Sequence, residues 1–142
     1  MCKQDPMTTS TTQSEDALAV TATFLRRDRR GVFVEAVNHG PWETVVTGTM
    51  KTGAVIGNHY HKHTRMFFFV LSGGAIVTLV NVETGKQRSC KIEELHGLSL
   101  NPGEAHAIRF LKDSTFLLLK SLPYDDSDPD TFAYQVEPEK TT

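Results

Sequence analysis

The sequence has few cysteines, no surplus of basic residues and no long apolar run, and each absence excludes a class of protein. Its 142 residues contain only two cysteines, Cys2 and Cys90, which are too few for a disulfide framework and favour a reduced, cytoplasmic protein. With 15 Lys and Arg against 17 Asp and Glu, the net charge of −2 gives no basic field for nucleic acid. No apolar stretch approaches the roughly 18 residues of a membrane span, and no secretory leader is recognisable. Neither nucleic acid nor a membrane is therefore an expected partner.

Helical periodicity is also missing, and this leaves a β fold. Short runs rich in β-branched and aromatic residues, such as TATFLRR, GVFVEAV, ETVVTGTM and TFLLLKSL, are separated by charged or turn-forming residues. Thr84 and Gly85 lie between two alternating segments, which predicts a hairpin. A hydrophobic content of 39% is enough for a real core in one domain. We therefore predict a single all-β sandwich or barrel over residues 19–136.

The two ends of the sequence are expected to be tails. Residues 1–18 are polar, rich in Ser and Thr, and show no hydrophobic period, which predicts a disordered N-terminal tail. Residues 137–142 have the same character and predict a short C-terminal tail. The segment YDDSDPD before them reads as a solvated acidic turn.

The stretch GNHYHKHTRMFFFVLSGG places three histidines at alternate positions before an apolar block. Strand side chains alternate between faces, so His59 and His61 share one side and Tyr60 takes the other. The block that follows is apolar on both faces and predicts a strand buried on both sides. A Pro-Gly turn then precedes His106 at the start of another apolar strand. From these patterns alone, the histidines can be metal ligands, proton-transfer groups or structural residues.

The spacing of these residues matches two motifs of a known superfamily. The first motif, G-x5-H-x-H followed by a distant glycine, fits Gly53, His59, His61 and Gly73. The second, P-G-x-x-H, ends at His106. In both motifs the sequence resembles the cupins, whose fold is a double-stranded β-helix or jelly-roll barrel with ligands pointing inward. The resemblance implies a single cupin barrel and directs the three motif histidines into its cavity.

The residue at the expected glutamate position argues against a metal. Met66 stands where metal-binding cupins have that glutamate, and Arg65 is beside it. A thioether is a poor ligand for iron, manganese or zinc, and a guanidinium repels a cation. We therefore expect no metal or other cofactor. If a metal is bound, its ligands are expected to be His59, His61 and His106.

Further segments resemble enzymes that act on nucleotide sugars without a metal. RRDRRGVFVEAVN resembles the D-x-R-G-x-F-x-E opening of dTDP-sugar epimerases, with Arg30 at its arginine. GNHYH, GLSLNPGEAH and SLPYDDSD resemble dTDP-4-keto-6-deoxyhexose 3,4-ketoisomerases. This resemblance implies that His59 and His61 form an acid–base pair with His61 as the base, while Tyr60 or Arg30 orients the substrate. An imidazole pKa of about 6.5 suits such proton transfer.

Two departures from the ketoisomerase pattern keep other chemistries open. Ile56 replaces the arginine of its R-G-x-H-x-H motif. The aromatic block after Met66 predicts a cavity that is more apolar than a nucleotide-sugar pocket. The residues expected to bind substrate are His106, Arg30, Arg65, Met66 and Phe68.

The leading hypothesis is a cofactor-independent isomerase or cyclase acting on a small carbonyl-bearing metabolite in deoxysugar or natural-product biosynthesis. The catalytic residues would be His61, His59 and Tyr60. Three alternatives stay open: a cyclase that closes rings by shaping an apolar substrate, a three-histidine metalloenzyme, and a ligand-binding cupin without turnover. A homodimer paired through edge strands is expected in each case.

Overall fold

The computed structural model describes residues 19–138, and these form strands and turns without a helix. The all-β prediction is therefore confirmed for this part of the chain, and none of it is a helix able to cross a membrane. The predicted N-terminal tail, residues 1–18, lies outside the described residues. The strands are β1 (Val20–Thr21), β2 (Phe24–Asp28), β3 (Gly31–Glu35), β4 (Thr44–Met50), β5 (Val55–Tyr60), β6 (Met66–Ser72), β7 (Gly74–Asn81), β8 (Gln87–Glu93), β9 (His96–Leu100), β10 (Glu104–Phe110), β11 (Ser114–Lys120) and β12 (Phe132–Ala133).

Two five-stranded sheets, both with antiparallel pairings, form the barrel. The first has the order β1-β9-β6-β11-β4 and the second the order β12-β5-β10-β7-β8. Within residues 19–138, strands β2 and β3 pair only with each other, as a separate two-stranded sheet. Strands β7 and β8 form the hairpin predicted at Thr84 and Gly85, and Gly85 adopts a φ of 77° that favours glycine.

The core lies between the two sheets and is densest along β6. Met66, Phe68 and Val70 are directed into it and are almost completely buried. The ring of Phe68 lies about 6 Å from the rings of Phe110 and Phe116, with centroid distances of 6.1 and 6.0 Å. Phe68 therefore fills the core, and its predicted role in substrate binding does not fit this position.

The opposite face of β6 is buried as well. Phe67 and Phe69 are 2% and 0% exposed and lie in a second apolar cluster. Part of their cover comes from the segment after β3, including Val37 and Trp42. The prediction of a strand buried on both faces is confirmed, and the physical reason is that a separate stretch of chain covers the outer surface of this sheet.

The barrel continues to hold the chain beyond β12. The amides of Val136 and Glu137 donate to Asn58 Oδ1 at 2.8 and 3.0 Å, and Glu137 also pairs with Arg109 at 2.9 Å. The predicted C-terminal tail therefore does not begin at Glu137. This contact matters for function because Asn58, in the left-handed region at φ 59°, directly precedes His59.

Candidate functional site

The three motif histidines line one cavity of about 150 Å³ between the sheets. His59 belongs to β5, His61 follows the end of that strand, and His106 lies opposite His59 on β10. The ring centroids are 4.8 Å apart for His59 and His106, 5.0 Å for His59 and His61, and 5.8 Å for His61 and His106. The structure thus brings His106 to two histidines that lie more than forty positions before it in the sequence.

The remaining lining is mostly aliphatic. Met66, 2% exposed, lines the cavity at the position where the sequence motif expects a glutamate. The other lining residues are Ile56, Gly57, Leu100, Ile108, Leu118, Lys120 and Thr131. The cavity therefore combines three histidines with mostly aliphatic side chains, which is typical of sites where a few polar groups orient a ligand.

A glycine in β5 permits the close approach of the two histidine-bearing strands. Gly57 has a φ of +103°, and a Cβ atom there would lie 2.6 Å from the carbonyl oxygen of His106. The β5–β10 pairing shifts register between His106 and Ala107 at this point. A side chain at position 57 would therefore clash with backbone and displace His106.

His61 is held by a backbone group from a distant part of the chain. Its Nδ1 lies 2.5 Å from the carbonyl oxygen of Asp130, and its side chain is almost fully buried. A carbonyl oxygen only accepts, so Nδ1 carries a proton, and whenever the ring holds a single proton Nε2 has the free lone pair. Nε2 has no hydrogen-bond partner among residues 19–138. The unpartnered Nε2 is therefore able to accept a proton.

Asp130 also organises the turn that follows His61. Its carboxylate accepts the amides of Lys62, His63 and Thr64 at 2.7, 2.8 and 2.7 Å, and the hydroxyl of Thr64 at 2.8 Å. Partial burial alone would raise the pKa of Asp130, but these hydrogen bonds outweigh it and lower the pKa to about 2. The prediction of a merely solvated acidic turn is therefore wrong for Asp130. The sequence carries no local signal for it, because its partners are 66 to 69 residues away.

His59 and His106 are neutral at neutral pH. Burial, with repulsion from His61 and Lys120, lowers the pKa of His59 to about 4, against a smaller opposing effect of a hydrogen bond with the Gly57 backbone. Burial, with repulsion from His59 and His61, lowers the pKa of His106 to about 3. Each neutral ring can donate one hydrogen bond and accept one.

Lys120 is a cavity residue that the sequence interpretation missed. It ends β11, pairs across the sheet with Met66, and lines the histidine cavity. Its ammonium group therefore brings a positive charge close to the histidines. Alternation along β11 provides a signal that could have found it, because Lys120 shares parity with Phe116 and Leu118, both of which face the interior.

Two predicted site residues lie away from the cavity because strand alternation and packing turn them elsewhere. Tyr60 faces the outer side of β5, where its ring centroid is 5.4 Å from that of Phe132 and 6.2 Å from that of Tyr134. Arg65 places its guanidinium carbon 4.7 Å from the centroid of the Trp42 ring. Neither residue lines the histidine cavity, so the predicted roles in catalysis and substrate binding do not fit these positions.

Arg30 is also separate from the cavity within one chain. It lies in the turn of the β2–β3 hairpin, and its guanidinium bonds the carboxylate of Asp28 at 2.7 Å. The side chain is 74% exposed. The structure therefore unites His59, His61, His106 and Met66 of the predicted set and leaves Arg30 on the surface.

Comparison with solved structures confirms the cupin-type barrel, a fold that this chain shares with sugar epimerases. The capsular polysaccharide assembling protein CapF from Staphylococcus aureus superposes with a TM-score of 0.64 at 24% identity, over 80% of this chain and 34% of that one. The chain thus spans about a third of the length of CapF. The dTDP-4-dehydrorhamnose 3,5-epimerase from Sulfolobus tokodaii gives 0.64 at 22% identity, over 72% and 69% of the two chains.

A third similar structure is ChmJ, a 3'-monoepimerase from Streptomyces bikiniensis in complex with dTDP-quinovose. It superposes with a TM-score of 0.69 at 19% identity, over 82% of this chain and 68% of that one. Among curated proteins, none matches the sequence. A family profile does match, over residues 26–132, a range that includes every residue lining the histidine cavity. The chain therefore belongs to the family described as the polysaccharide biosynthesis C-terminal domain.

Proposed function

We propose that the protein is a sugar-modifying isomerase or epimerase that moves a proton on a carbon next to a carbonyl group. The observation that carries the proposal is His61, whose Nδ1 is bonded to the Asp130 carbonyl while Nε2 stays unpartnered beside two further histidines. The fold shared with dTDP-sugar epimerases and the family's connection with polysaccharides support a carbohydrate substrate.

The reaction can be written with the cavity residues alone. Nε2 of His61 takes the proton from the carbon, the C–H electron pair forms a C=C bond, and the carbonyl oxygen becomes an enolate oxygen. The ammonium of Lys120 and an N–H of His59 stabilise that negative charge in the partly enclosed cavity. Inversion requires that a proton from water reach the opposite face of the same carbon. A carbonyl shift requires a hydroxyl on that carbon: its proton passes to the enolate oxygen, a new C=O bond forms there, and His61 returns its proton to the former carbonyl carbon.

The dimensions of the cavity limit what enters it. Its 150 Å³ is below the roughly 300–1,000 Å³ of pockets that enclose drug-sized ligands. Only the reacting sugar ring would therefore be enclosed, and any nucleotide group would remain outside. The aliphatic side chains that line the cavity, among them Ile108 and Leu118, would contact the apolar face of the sugar ring.

The test is deuterium exchange into a dTDP-4-keto-6-deoxyhexose in deuterated water. The wild-type protein is expected to incorporate deuterium. In His61→Ala the exchange rate should fall at least about 100-fold, which is the usual contribution of a general base. His63→Ala is the matched control, because His63 is exposed on the same turn. Full exchange by His61→Ala would refute the assignment of the base.

A three-histidine metal site is the second candidate. One nitrogen from each of His59, His61 and His106 lies within 4.8 Å of the others, and the donor type suits zinc. Two nitrogens on one zinc ion can be at most about 4.2 Å apart, twice the usual bond length, so the rings would have to turn. The Lys120 ammonium also disfavours a cation in this cavity. Elemental analysis after chelator-free purification decides between the two: a stoichiometric metal would make the histidines ligands.

The remaining alternatives differ in their readouts. Ring closure of an apolar substrate is supported by the aliphatic wall, but the small volume disfavours a large polyketide. That reaction predicts no deuterium exchange and little effect of His61→Ala, because shape would carry most of the rate. A binding protein without turnover predicts saturable binding with the ligand recovered unchanged.

A further inference from the structure

The pairing of β5 with β10 contains an irregularity directly before the candidate histidines. Gly57 of β5 lies opposite Ala107 of β10. The next pair along the two strands is His59 and His106, so Asn58 has no partner on β10 in this register. An extra residue in one strand of an antiparallel pair is a β-bulge, which bends the strand and re-aims the side chains beyond it. Asn58 is the extra residue here.

This bulge decides which side of β5 carries the histidines. In a strand without a bulge, Ile56 and Asn58 would share one face and His59 would lie on the other. In the structure, Ile56 and His59 both line the cavity although they are three positions apart. His61 lines the cavity as well, and Tyr60 packs on the outer side. A straightened β5 would therefore turn His59 out of the cavity.

Two properties of Asn58 stabilise the bulge. Its backbone is in the left-handed region, at φ 59°, which asparagine adopts more readily than most residues with a side chain. It also makes three hydrogen bonds to one stretch of the C-terminal segment, residues 134–137, which we call the C-terminal clasp. The amides of Val136 and Glu137 donate to Asn58 Oδ1 at 2.8 and 3.0 Å, and the amide of Tyr134 donates to its carbonyl oxygen at 2.9 Å. The clasp therefore holds both the side chain and the backbone of the inserted residue.

The clasp is attached to the barrel at a second point. Glu137 accepts a hydrogen bond from Arg109 Nε of β10 at 2.9 Å, so the clasp bridges the two strands whose register shifts at the bulge. Of the two side-chain polar atoms of Asn58, only the oxygen contributes to this arrangement. Its Nδ2 is buried and has no hydrogen-bond partner within residues 19–138. An acceptor oxygen at position 58 is therefore the group on which the clasp depends.

We propose that Asn58 is a positioning residue that holds the β5 bulge through the C-terminal clasp and thereby directs His59 into the cavity. Asn58 does not line the cavity, so it acts on the site only through its neighbour. The inference goes beyond the proposed function, because it holds whether His59 donates an N–H to a substrate or binds a metal. Release of the clasp would disassemble the site while the core around β6, which packs without these contacts, stays folded.

NMR of the full 142-residue chain tests the position of His59 directly. The rings of His59 and His106 have centroids 4.8 Å apart, so their protons should give a nuclear Overhauser effect (NOE) in the wild-type protein. Asn58→Gly still adopts the left-handed conformation but lacks the acceptor oxygen, and it should lose most of this NOE. Asn58→Asp keeps an acceptor oxygen and should retain it. The NOEs of the β6 core rings should remain in both variants, which separates a re-aimed histidine from an unfolded chain.

A matched control removes a similar acceptor elsewhere. Asn81 Oδ1 also accepts two backbone amides, those of Glu83 and Thr84 at 2.9 and 3.0 Å, but Asn81 does not line the cavity. Asn81→Gly should therefore keep the wild-type NOE between His59 and His106. The proposal is overturned if Asn58→Gly keeps that NOE, or if Asn58→Asp loses it as completely as Asn58→Gly does.

Deuterium exchange gives a second readout, which rests on the proposed function. Asn58→Gly should lower the exchange rate about tenfold or more and change substrate binding much less, because a misplaced His59 stabilises the enolate poorly. A wild-type protein that shows no exchange would refute the proposed reaction, and the NOE test of the positioning role would still stand. Normal exchange and a normal NOE in Asn58→Gly would refute the positioning role and leave the proposed reaction intact.

Discussion

Strands β5 and β6 follow each other in the chain and both reach the histidine cavity, but they are built differently. Every residue of β5 is half-buried, and the strand contains two left-handed positions, Gly57 at φ 103° and Asn58 at φ 59°. The first five residues of β6 are buried, and they include no glycine and no asparagine. One strand carries a histidine to the cavity and the other a methionine.

The two strands therefore have different tasks: β5 positions polar groups of the candidate site, and β6 stabilises the core. The polar groups around the end of β5 are satisfied by residues far away in sequence: Asn58 bonds Val136 and Glu137, and His61 bonds Asp130. The side chains of β6 need no such partners, because close packing alone stabilises them. The site therefore depends on the C-terminal segment, whereas the core depends on β6.

The largest expected effect is on the β6 side of this comparison. Phe68→Ala should lower the free energy of unfolding by about 3–5 kcal/mol, because it empties a fully buried position between Phe110 and Phe116. Denaturant unfolding at neutral pH measures this change. Val20→Ala, at an exposed position of β1, is the control and should change stability by well under about 1 kcal/mol. A similar loss in both variants would mean that β6 is not the centre of stability.

The next effect is a pH dependence that comes from the histidines. In the folded protein the pKa is about 4 for His59 and about 3 for His106, whereas an unfolded imidazole titrates at about 6.5. Below that value the unfolded chain binds protons that the fold excludes, so stability is complete above pH 6.5 and falls as the pH drops toward 3. The loss should be on the order of a few kcal/mol.

A matched pair of variants assigns this pH dependence. His106→Gln, measured by denaturant unfolding between pH 7.5 and 4.5, should lose much of the decline with falling pH, and His63→Gln at an exposed position should keep it. Equal slopes for the wild-type protein and His106→Gln would contradict the assignment to the cavity.

A smaller effect is expected at Asp130, whose backbone carbonyl bonds His61 and whose carboxylate holds the turn after it. Asp130→Ala removes the acceptor of the amides of Lys62, His63 and Thr64 and should cost on the order of 2 kcal/mol. Asp130→Asn keeps one acceptor oxygen, so its free energy of unfolding should lie between those of the wild-type protein and Asp130→Ala.

Because Asp130 acts through His61, the deuterium-exchange rate should fall more than substrate binding does. A change in the imidazole nitrogen shifts of His61 by NMR would show that its tautomer is no longer held. Glu83→Gln, an exposed carboxylate on the β7–β8 turn, provides the control. Normal exchange by Asp130→Ala would show that His61 stays in position without the carboxylate that anchors this segment.

The smallest effect is expected on the outer side of β5. Tyr60→Phe should change stability by no more than about 0.5 kcal/mol and exchange by less than about twofold, because the ring packs against Phe132 and Tyr134 outside the cavity. A large loss of exchange would restore the catalytic role that the sequence suggested for Tyr60.

The sequence by itself determined the β class, the doubly buried β6 strand, the β7–β8 hairpin and the three cavity histidines. These features follow from local period and motif spacing, because alternation fixes which side of a strand a residue faces. His59 and Tyr60 are assigned to opposite sides by this rule alone. Its extension to β11 would also have identified Lys120.

Only the tertiary structure decided which group holds His61, where Phe68 and Arg65 point, and which surfaces are left exposed. Asp130 looks like one of several acidic turn residues until folding brings it, 69 positions later, against His61. Phe68 is directed to the core by the neighbouring rings of β10 and β11, which no pattern within β6 reveals. Local sequence limits the face of each side chain, but its partners come from strands that are distant in the chain and meet only when the two sheets close.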